Sequence, residues 1–424
     1  MKALLLAALL LPALALAQAP VIQISGANFR PLPLAYPQPL ADAGAQPSAP
    51  AFDEAMSFDL AASGLFQVLD RKGFLADAKE GLTAGSINFA RWADVGADSL
   101  VKVALTGSGE QLRGELRLFS VGSGREDFKV ALGPTQPRAL AHALADALYR
   151  HLTREPGPYT SRLTFVRKAG PNRDVFVADW DGRNAKPLTQ GGINLLPTVA
   201  PNGDVAFTTY RSGQPDLFVS HGGAAPVPLV QARQMLTGVA YSPDGSRIAY
   251  ALAEGEGAHL YVAAADGSGK KRITDGFGIN TSPSWSPDGR RLAFVSNRGG
   301  SPQVYVMNAD GTGVRRLTFR GNYNQTPDWS PRGDLIAFTA RDERNAFDLF
   351  TVNVDTGVIT RLTQDQGNNE EPSFSPNGRL IVFSSTRTGP ARLYVMTADG
   401  NNQVPLPMDP GTHLTPDWGT ASAR

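Results

Sequence analysis

The sequence predicts a two-domain protein of mixed α+β and all-β class. A small N-terminal α/β domain is followed by a six-bladed β-propeller, which the C-terminal strand closes. Three observations lead to this prediction. A short turn motif returns about every 44 residues, as SPDG at Ser242 and Ser286, SPRG at Ser330, SPNG at Ser375 and APNG at Ala200. Strand-like segments alternate with these turns and show no helical period. The residues before position 156 lack the repeat.

Residues 1–19, MKALLLAALLLPALALAQA, have the form of a secretory signal peptide. Lys2 is a short positive segment, an apolar run follows it, and small residues place cleavage after Ala17 or Ala19. The apolar run is interrupted by Pro12 and is shorter than the roughly 20 residues of a membrane-spanning helix. We therefore expect an exported mature chain without a transmembrane segment. The sequence has no Cys, so this chain is expected to be stabilised by its core and not by disulfides.

Residues 20–155 are predicted to form the α/β domain, and residues 156–161 the linker. The expected strands are Val21–Gly26, Leu65–Asp70, Ser99–Gly107, Glu110–Val121 and Arg125–Leu132, with helices over Phe52–Leu60, near Asn88–Asp94 and from Pro137 onwards. A Pro-rich stretch, Arg30–Pro50, is expected to separate the first strand from the first helix. The last helix places four Leu residues on one face at intervals of four. Its two histidines, His142 and His151, are expected to have structural roles and not to bind metal.

Residues 162–419 are predicted to form the propeller, because each repeat contains three clear strands and the start of a fourth. The second strands are Leu163–Val166, Asp204–Thr209, Arg247–Leu252, Arg291–Ser296, Leu335–Ala340 and Leu380–Ser384. The third strands are Asp174–Ala178, Asp216–Ser220, His259–Ala263, Gln303–Met307, Asp348–Val352 and Arg392–Met396. The first strands are expected to centre on Val199, Tyr241, Trp285, Trp329, Phe374 and Trp418.

The strand count indicates how the ring closes. The set that opens at Arg162 has no first strand before it, and the closing segment Leu414–Gly419 is a first strand with nothing after it. The C-terminal strand is therefore predicted to complete the opening blade, which removes an exposed sheet edge. Residues 420–424 remain as a tail.

The repeated Asp of the SPDG turns admits two interpretations, a calcium ligand or a turn residue. Arg332 and Asn377 replace it in two repeats without disturbing the pattern. We therefore expect a turn residue whose carboxylate accepts backbone hydrogen bonds.

Composition argues against several function classes. The 40 basic and 39 acidic residues leave no net field that would attract nucleic acid. No G-x-S-x-G nucleophile motif is present, a Cys nucleophile is impossible, and the five His residues lack a metal-ligand spacing. A lactonase would need acidic residues that converge on the channel, and Glu370 with Glu371 come from one blade. We expect no catalytic residue, cofactor or metal.

A protein-binding face is predicted instead on the side of the propeller away from the SPDG turns. Five residues before most of the strand aromatics (or Val199) stands a polar residue: Asn194, Asn280, Asn324, Asn369 and His413. These side chains could hydrogen-bond a partner's backbone, or they could cap loops, since Asn tolerates left-handed geometry. Arg298 and Arg341 belong to a basic rim on this face, with Arg167, Lys168, Arg173, Arg211, Arg387 and Arg392. Such a rim suits an acidic or carbonyl-rich protein partner.

The arrangement of these parts resembles the TolB family of the Tol-Pal envelope system. The resemblance is carried by the export signal, by the P-x-W-S-P-D-G repeats and by two segments of the first domain. These segments are FDEAMSFDLAASGLFQVLD, Phe52–Asp70, and FARWADVGADSLVKV, Phe89–Val103. They are similar to the family's helix-strand signature and its Trp-centred segment.

The resemblance implies a periplasmic, non-enzymatic protein. It implies that the propeller binds a Pal-type peptidoglycan-associated lipoprotein and that the mature N-terminus engages TolA. It further implies a role in outer-membrane integrity and in constriction during cell division. Two alternatives remain at this point, a propeller hydrolase or lactonase, and an exported protein-binding propeller of another kind.

Overall fold

The computed structural model describes residues 30–75, 80–232, 234–276, 278–341 and 343–419. The predicted signal peptide, the predicted strand Val21–Gly26 and the tail 420–424 lie outside these residues.

The N-terminal domain is built on one mixed sheet of six strands. These are β1 (Leu32–Ala35), β2 (Leu40–Ala41), β3 (Phe66–Val68), β4 (Ser99–Thr106), β5 (Leu112–Ser120) and β6 (Arg125–Thr135). The strand order is β3-β1-β4-β5-β6, with β2 also paired to β4. The Pro-rich stretch over residues 30–50 contains a strand that was not predicted. This strand, β1, runs parallel to both β3 and β4.

Helices cover both faces of this sheet. They are α1 (Ala49–Ala62), α2 (Phe89–Asp94) and α3 (Pro137–Thr153), and single 3-10 turns occur at Arg71–Gly73, Ala84–Ser86 and Gly109–Gln111. The predicted helices are thus confirmed. Helices α1 and α3 share a core with Val101, Val103 and Leu105 of β4. Leu100 points to the opposite face, where it packs with Trp92 of α2. This alternation follows from the two-residue period of a strand.

The propeller has six four-stranded antiparallel blades, as predicted. From the inner to the outer strand they are as follows. Blade 1 is Asn194–Val199, Val205–Thr209, Asp216–Ser220 and Val227–Val230; blade 2 is Leu236–Tyr241, Arg247–Glu254, Gly257–Ala264 and Lys271–Arg272. Blade 3 is Asn280–Trp285, Arg291–Ser296, Gln303–Asn308 and Arg315–Arg316; blade 4 is Asn324–Trp329, Leu335–Arg341, Phe347–Asn353 and Ile359–Arg361. Blade 5 is Asn369–Phe374, Leu380–Ser385, Arg392–Thr397 and Val404–Pro405; blade 6 is Thr412–Gly419, Arg162–Ala169, Asn172–Asp179 and Lys186–Pro187.

Blade 6 confirms the predicted closure of the ring. The C-terminal strand pairs antiparallel with Arg162–Ala169, and Trp418 lies opposite Leu163. The predicted centres of the inner strands are displaced, because in blades 1 to 5 the aromatic residue (or Val199) is the last residue of the strand. The inner strand begins five residues earlier, at the position of the polar residues singled out above.

The propeller has two faces, which carry different connections between its strands. The turn face carries the hairpins between first and second strands and between third and fourth strands. The loop face carries the connections between second and third strands, together with those from each outer strand to the next inner strand. The predicted division of these connections between two faces is confirmed by the strand pairing.

The N-terminal domain packs on the turn face. Trp180, in the first outer hairpin, donates from Nε1 to Asp59 of α1 over 3.0 Å. Arg379, in the SPNG turn, bonds Glu155 with Nε and Nη2 at 2.7 and 2.6 Å. Asn402 donates to the carbonyl of Ala61. Residues of blades 5 and 6 also share one apolar core with α1 and α3. The domain therefore covers part of the turn face.

Candidate protein-binding face of the propeller

The backbone of each inner strand bends near its start, on the loop face. One residue of the inner strand has a positive φ in every blade, the third residue in blades 1 to 5 and the fourth in blade 6. Leu196, Gly238, Ser282, Thr326, Glu371 and Thr415 have φ between 46 and 59°. Except in blade 2, the next residue is Pro. The strand register shifts at the same point, which leaves two residues outside the ladder in every blade except blade 2, where only Gly238 is left out. A positive φ costs a residue with a side chain about 1–2 kcal/mol, so the surrounding contacts must hold the bend in place.

The four predicted asparagines lie beneath the loop face and not on it. Asn194, Asn280, Asn324 and Asn369 are between 0 and 4% exposed. Each donates from Nδ2 to groups of the preceding blade or loop: Asn194 to the carbonyls of Arg173 and Gly191, and Asn369 to Oδ1 of Asp348 at 3.1 Å. These contacts match the loop-capping interpretation, and partner binding by the amides stays a prediction.

The asparagine side chains also bind the ends of the second strands. Oδ1 of Asn194 accepts from the hydroxyl of Thr209 at 2.8 Å, and Oδ1 of Asn369 accepts from Ser385 at 2.8 Å. In blade 2 the position is held by Leu236, which is fully buried in an apolar cluster. Any part that these residues have in partner binding must act through the loops that they hold in place.

His413 occupies the same position in blade 6 and is 1% exposed. Its ring lies edge-on to Phe165 with centroids 5.3 Å apart. Burial, together with the charges of Arg167 and Arg392, lowers the pKa of His413 to about 4. The imidazole is therefore neutral at pH 7, which suits a packed side chain better than a charged contact.

Arg298 and Arg341 reach the surface but are anchored below it. The Nη2 of Arg298 donates to Oδ1 of Asn280 at 2.8 Å, and its guanidinium lies 5.4 Å from the ring of Phe294. Arg341 lies over the rings of Tyr323 and Phe347, at 5.1 and 5.0 Å. The structure therefore places Arg298 next to Asn280, whereas Arg341 stacks on aromatic rings. Such stacking holds an Arg in one conformation and lowers the entropy lost when it binds a partner.

The rim is less uniformly basic than expected. The loop after Arg341 carries Glu343, which pairs with Arg361. Arg344 in the same loop pairs with Asp365. In blade 2, Glu254 pairs with Arg272 at 3.2 Å. The remaining excess of basic residues lies in blades 5 and 6.

Carboxylates from three blades meet in the central channel, and sequence reasoning named only Glu371 among them. Asp328, Glu371 and Asp417 line a cavity of about 310 Å³. Burial raises the pKa of Asp328 to about 7, that of Glu371 to about 7 and that of Asp417 to about 6. The sequence signal for Asp328 and Asp417 was their place directly before the Trp of a PDW segment.

These channel groups join neighbouring blades. Asp328 accepts from the backbone N–H of Phe374 at 2.7 Å, and Asp417 accepts from that of Val199 at 2.8 Å. The hydroxyl oxygen of Ser284 accepts from the N–H of Trp329 at 2.9 Å in the same way. Each group satisfies a buried donor of the next blade, which is a structural use of a short polar side chain. The converging acids that a lactonase would need are present, but these contacts occupy them.

The Asp residues of the turns behave as the turn interpretation predicts. Asp244 accepts from the N–H of Ser246 at 3.1 Å, Asp288 from that of Arg290 at 3.0 Å, and Asp310 from that of Thr312 at 2.9 Å. The turn interpretation is confirmed for these residues.

One group of possible metal ligands occurs among the described residues, formed by His142, Asp179 and Asp181 at the domain interface. Arg138 bonds Asp181, and Asn184 bonds Asp179 at 2.7 Å. His142 bonds Asp59 at 2.7 Å. Burial opposes its charge, but Asp59 and Asp181 outweigh burial and raise the pKa of His142 to about 9. A charged imidazole beside a guanidinium does not suit a cation, so His142 has the structural role that was expected.

Comparison with known proteins agrees with this architecture. Residues 149–422 match the profile of the TolB beta propeller domain, and residues 20–126 match that of the TolB amino-terminal domain. The chain belongs to the TolB family. It is 69% identical to the Tol-Pal system protein TolB of Myxococcus xanthus, over 99% of this chain and 98% of that one. It is 50% identical to the protein of the same name from Anaeromyxobacter dehalogenans, over 99% and 98% of the two chains.

A solved structure of a TolB supports the same arrangement of domains. The crystal structure of TolB from Acinetobacter baumannii superposes with a TM-score of 0.79 at 25% identity, covering 92% of this chain and 97% of that one. In the part of the chain that the structure describes, no helix is long and apolar enough to cross a membrane.

Proposed function

We propose that this TolB chain is a non-enzymatic, periplasmic protein-binding component of the Tol-Pal system. In this proposal it docks a Pal-type peptidoglycan-associated lipoprotein on the loop face of the propeller. It thereby helps to maintain outer-membrane integrity and constriction during cell division.

The observation that carries the proposal is the unequal use of the two faces. The turn face receives the N-terminal domain through Trp180, Arg379 and Asn402. The loop face carries five of the nine exposed large apolar side chains of the described residues: Ile193, Tyr210, Met235, Ile279 and Phe319. Exposed apolar side chains gathered on one face of a soluble domain are typical of a protein interface.

The predicted site residues have distinct parts in this proposal. Arg298 and Arg341 are offered to the partner, since their guanidinium groups lie at the surface of the loop face. Asn194, Asn280, Asn324, Asn369 and His413 are positioning residues that hold the bends of the inner strands.

Binding kinetics test the docking face. The mature chain would be immobilised and the globular domain of a Pal-type lipoprotein passed over it in surface plasmon resonance. We expect R298E and R341E to slow association and weaken its salt dependence, because rim charges act mainly on encounter. D288A and D310A on the turn face are the matched controls and should leave binding intact. Loss of binding in the controls, with wild-type kinetics for both Arg variants, would place the partner on the turn face and not on the loop face.

The alternative to a non-enzymatic protein is a lactonase or a peptidase. The carboxylates in the channel favour this alternative, but Asp328 and Asp417 already accept hydrogen bonds from backbone N–H groups. Purified protein incubated with lactone and peptide substrates should show no turnover. Turnover that D328N or D417N abolished would establish an enzyme instead.

The proposal extends to export and to the N-terminus. Its support is the form of residues 1–19, together with the family resemblance. N-terminal sequencing of protein from the periplasm should find Gln18 or Pro20 first, whereas cytoplasmic protein beginning at Met1 would refute export. Contact of the mature N-terminus with TolA would be tested by removing residues 18–20 and measuring TolA binding.

A further inference from the structure

The exposed apolar residues of the loop face are grouped on one side of the channel. Ile193, Met235 and Ile279 each directly precede the inner strands of blades 1, 2 and 3. Tyr210 follows the second strand of blade 1, and Phe319 lies in the loop between blades 3 and 4. We call these five residues the apolar arc. Before the inner strands of blades 5 and 6 the same position is held by Asn368 and Thr412, so the arc does not continue around the ring.

The arc ends at a groove between blades 3 and 4. Phe319 forms part of its wall and is 71% exposed, with the guanidinium of Arg316 5.0 Å from its ring. Val358 and Ile359 of blade 4 line the other side of the groove, whose volume is about 1140 Å³. A space of this size accommodates several apolar side chains of a partner.

The other side of the channel mouth, in blades 5 and 6, is basic. Its loops present five cationic side chains against the acidic Asp174 and Asp409: these are Arg167, Lys168, Arg173, Arg387 and Arg392. Among the described residues, the loop-face connections that follow the second and fourth strands of blades 1 to 3 carry charges that balance: Glu254, Glu256 and Asp275 against Arg211, Arg298 and Arg320. The loop face is therefore divided into an apolar half without excess charge and a basic half.

We propose that the partner docks across the channel mouth in one orientation, with an apolar stripe on the arc and a cluster of carboxylates on the basic half. This inference rests on the proposed function and deepens it, since it states what the partner's surface must present. The two halves meet where blade 6 adjoins blade 1, at the backbone bridge between Arg173 and Ile193, and extend from there to blades 5 and 3. The partner is therefore a folded protein broad enough to contact both. A turned partner would place its apolar stripe against the cationic side chains of the basic half and its carboxylates on the half without excess positive charge.

The two halves have different kinetic consequences. Apolar contacts form only in the docked complex, and losing them speeds dissociation. Charges on the basic half act at a distance on the approaching partner, and losing them slows association in a salt-dependent way.

Paired variants separate these effects. The probe is the globular domain of a Pal-type lipoprotein, measured by surface plasmon resonance at low and high salt. M235D with I279D should dissociate at least about ten-fold faster and keep the salt dependence. K168E with R173E should associate about ten-fold more slowly at low salt and lose most of that dependence. V227D with V314D, at exposed apolar positions away from the loop face, is the matched control and should bind as the wild type does. Thermal melting checks that each variant folds.

Each outcome decides a separate point. If the wild type binds but M235D with I279D dissociates at the wild-type rate, the orientation is wrong and the proposed function stands. Impaired binding by the control pair would move the docking site away from the loop face, so the docking part of the proposed function would fail together with the orientation. If the wild type does not bind the lipoprotein domain at all, the proposed function fails and the orientation with it. Binding to phosphatidylglycerol vesicles that K168E with R173E abolishes, without binding to the lipoprotein domain, would replace both with a membrane contact.

Discussion

The indole of Trp180, in the propeller, donates a 3.0 Å hydrogen bond to the fully buried carboxylate of Asp59, in the N-terminal domain. Trp180 also stacks on Trp418 of the closing strand, with ring centroids 5.6 Å apart. One side chain thus joins α1 to the strand that closes the ring.

We expect W180F to destabilise the protein by about 1–3 kcal/mol, because the buried carboxylate of Asp59 loses a donor while the ring is retained. Thermal melting and limited proteolysis of the segment 154–161 would measure the effect. Tyr210, an exposed aromatic of the loop face, supplies the control Y210F. Equal melting of W180F and wild type would show that this bond does not hold the domains together.

The His142–Asp59 pair predicts a loss of stability in mild alkali. The pKa of His142 is raised to about 9 in the folded protein, above its ordinary value of 6.5. The stabilisation is therefore complete below pH 6.5 and is lost as the pH rises through 9, by about 1–3 kcal/mol. Denaturant unfolding between pH 6 and 9.5 would show this slope. H142Q should remove the part of the slope above pH 7, because the raised pKa of Asp59, about 7, gives a slope of the same sign below that pH. H151Q should keep the slope above pH 7, because His151 stacks on Phe128 and is not bonded to Asp59. An unchanged slope in H142Q would contradict the assignment.

The channel carboxylate Asp328 predicts a second, lower pH window. Its pKa is raised by burial from 3.8 to about 7, so the folded state holds a proton that the unfolded state releases. The stability that this proton contributes is lost as the pH rises from about 4 to 7. D328N cannot ionise, and we expect it to gain about 1–3 kcal/mol over the wild type between pH 4 and 8.

D310N is the matched control for that measurement, since the exposed carboxylate of Asp310 has a lowered pKa from its hydrogen bonds to Thr312. Its contribution has the opposite sign and is lost as the pH falls. If D328N and the wild type had parallel stability curves, the buried carboxylate would not titrate in this range.

Ring closure predicts that the last strand is indispensable. Ending the chain after Gly411 removes the strand that pairs with Arg162–Ala169 and leaves an open sheet edge. We expect such a chain to melt at a lower temperature and to aggregate. A chain that ends at Gly419 keeps every paired residue and serves as the control. Identical melting of the two truncated proteins would refute closure by the C-terminal strand.

We expect the side chain of Asn369 to contribute to the stability of the fold and to affect partner binding only indirectly. N369A leaves the Oδ1 of Asp348 and the guanidinium of Arg387 each without one partner in a buried setting. The expected loss is about 1–3 kcal/mol in the free energy of unfolding. N401A, at an exposed turn, is the control. If N369A melted like the wild type yet no longer bound the lipoprotein domain, the side chain would contact the partner directly after all.

The repeat, the number of blades and the way the ring closes could all be predicted from the sequence. A period of two in each strand and a turn motif in each blade are local signals, and the unmatched strands at the two ends of the repeat have only one pairing that leaves no edge. The strand that begins with Leu32 was not predicted, because it has only four residues and lies in a Pro-rich segment. Pairing with β3 on one side and β4 on the other places it inside the sheet.

What the polar residues of the loop face do could be learned only from the folded structure. An Asn on a loop and an Asn beneath a loop have the same sequence signature, and they differ in the hydrogen-bond partners that the neighbouring blade supplies. The same reason hid the meeting of Asp328, Glu371 and Asp417, which stand about 45 residues apart and come together because the inner strands surround one channel. The division of the loop face into an apolar and a basic half is likewise a property of the closed ring, since closure sets which blades are neighbours.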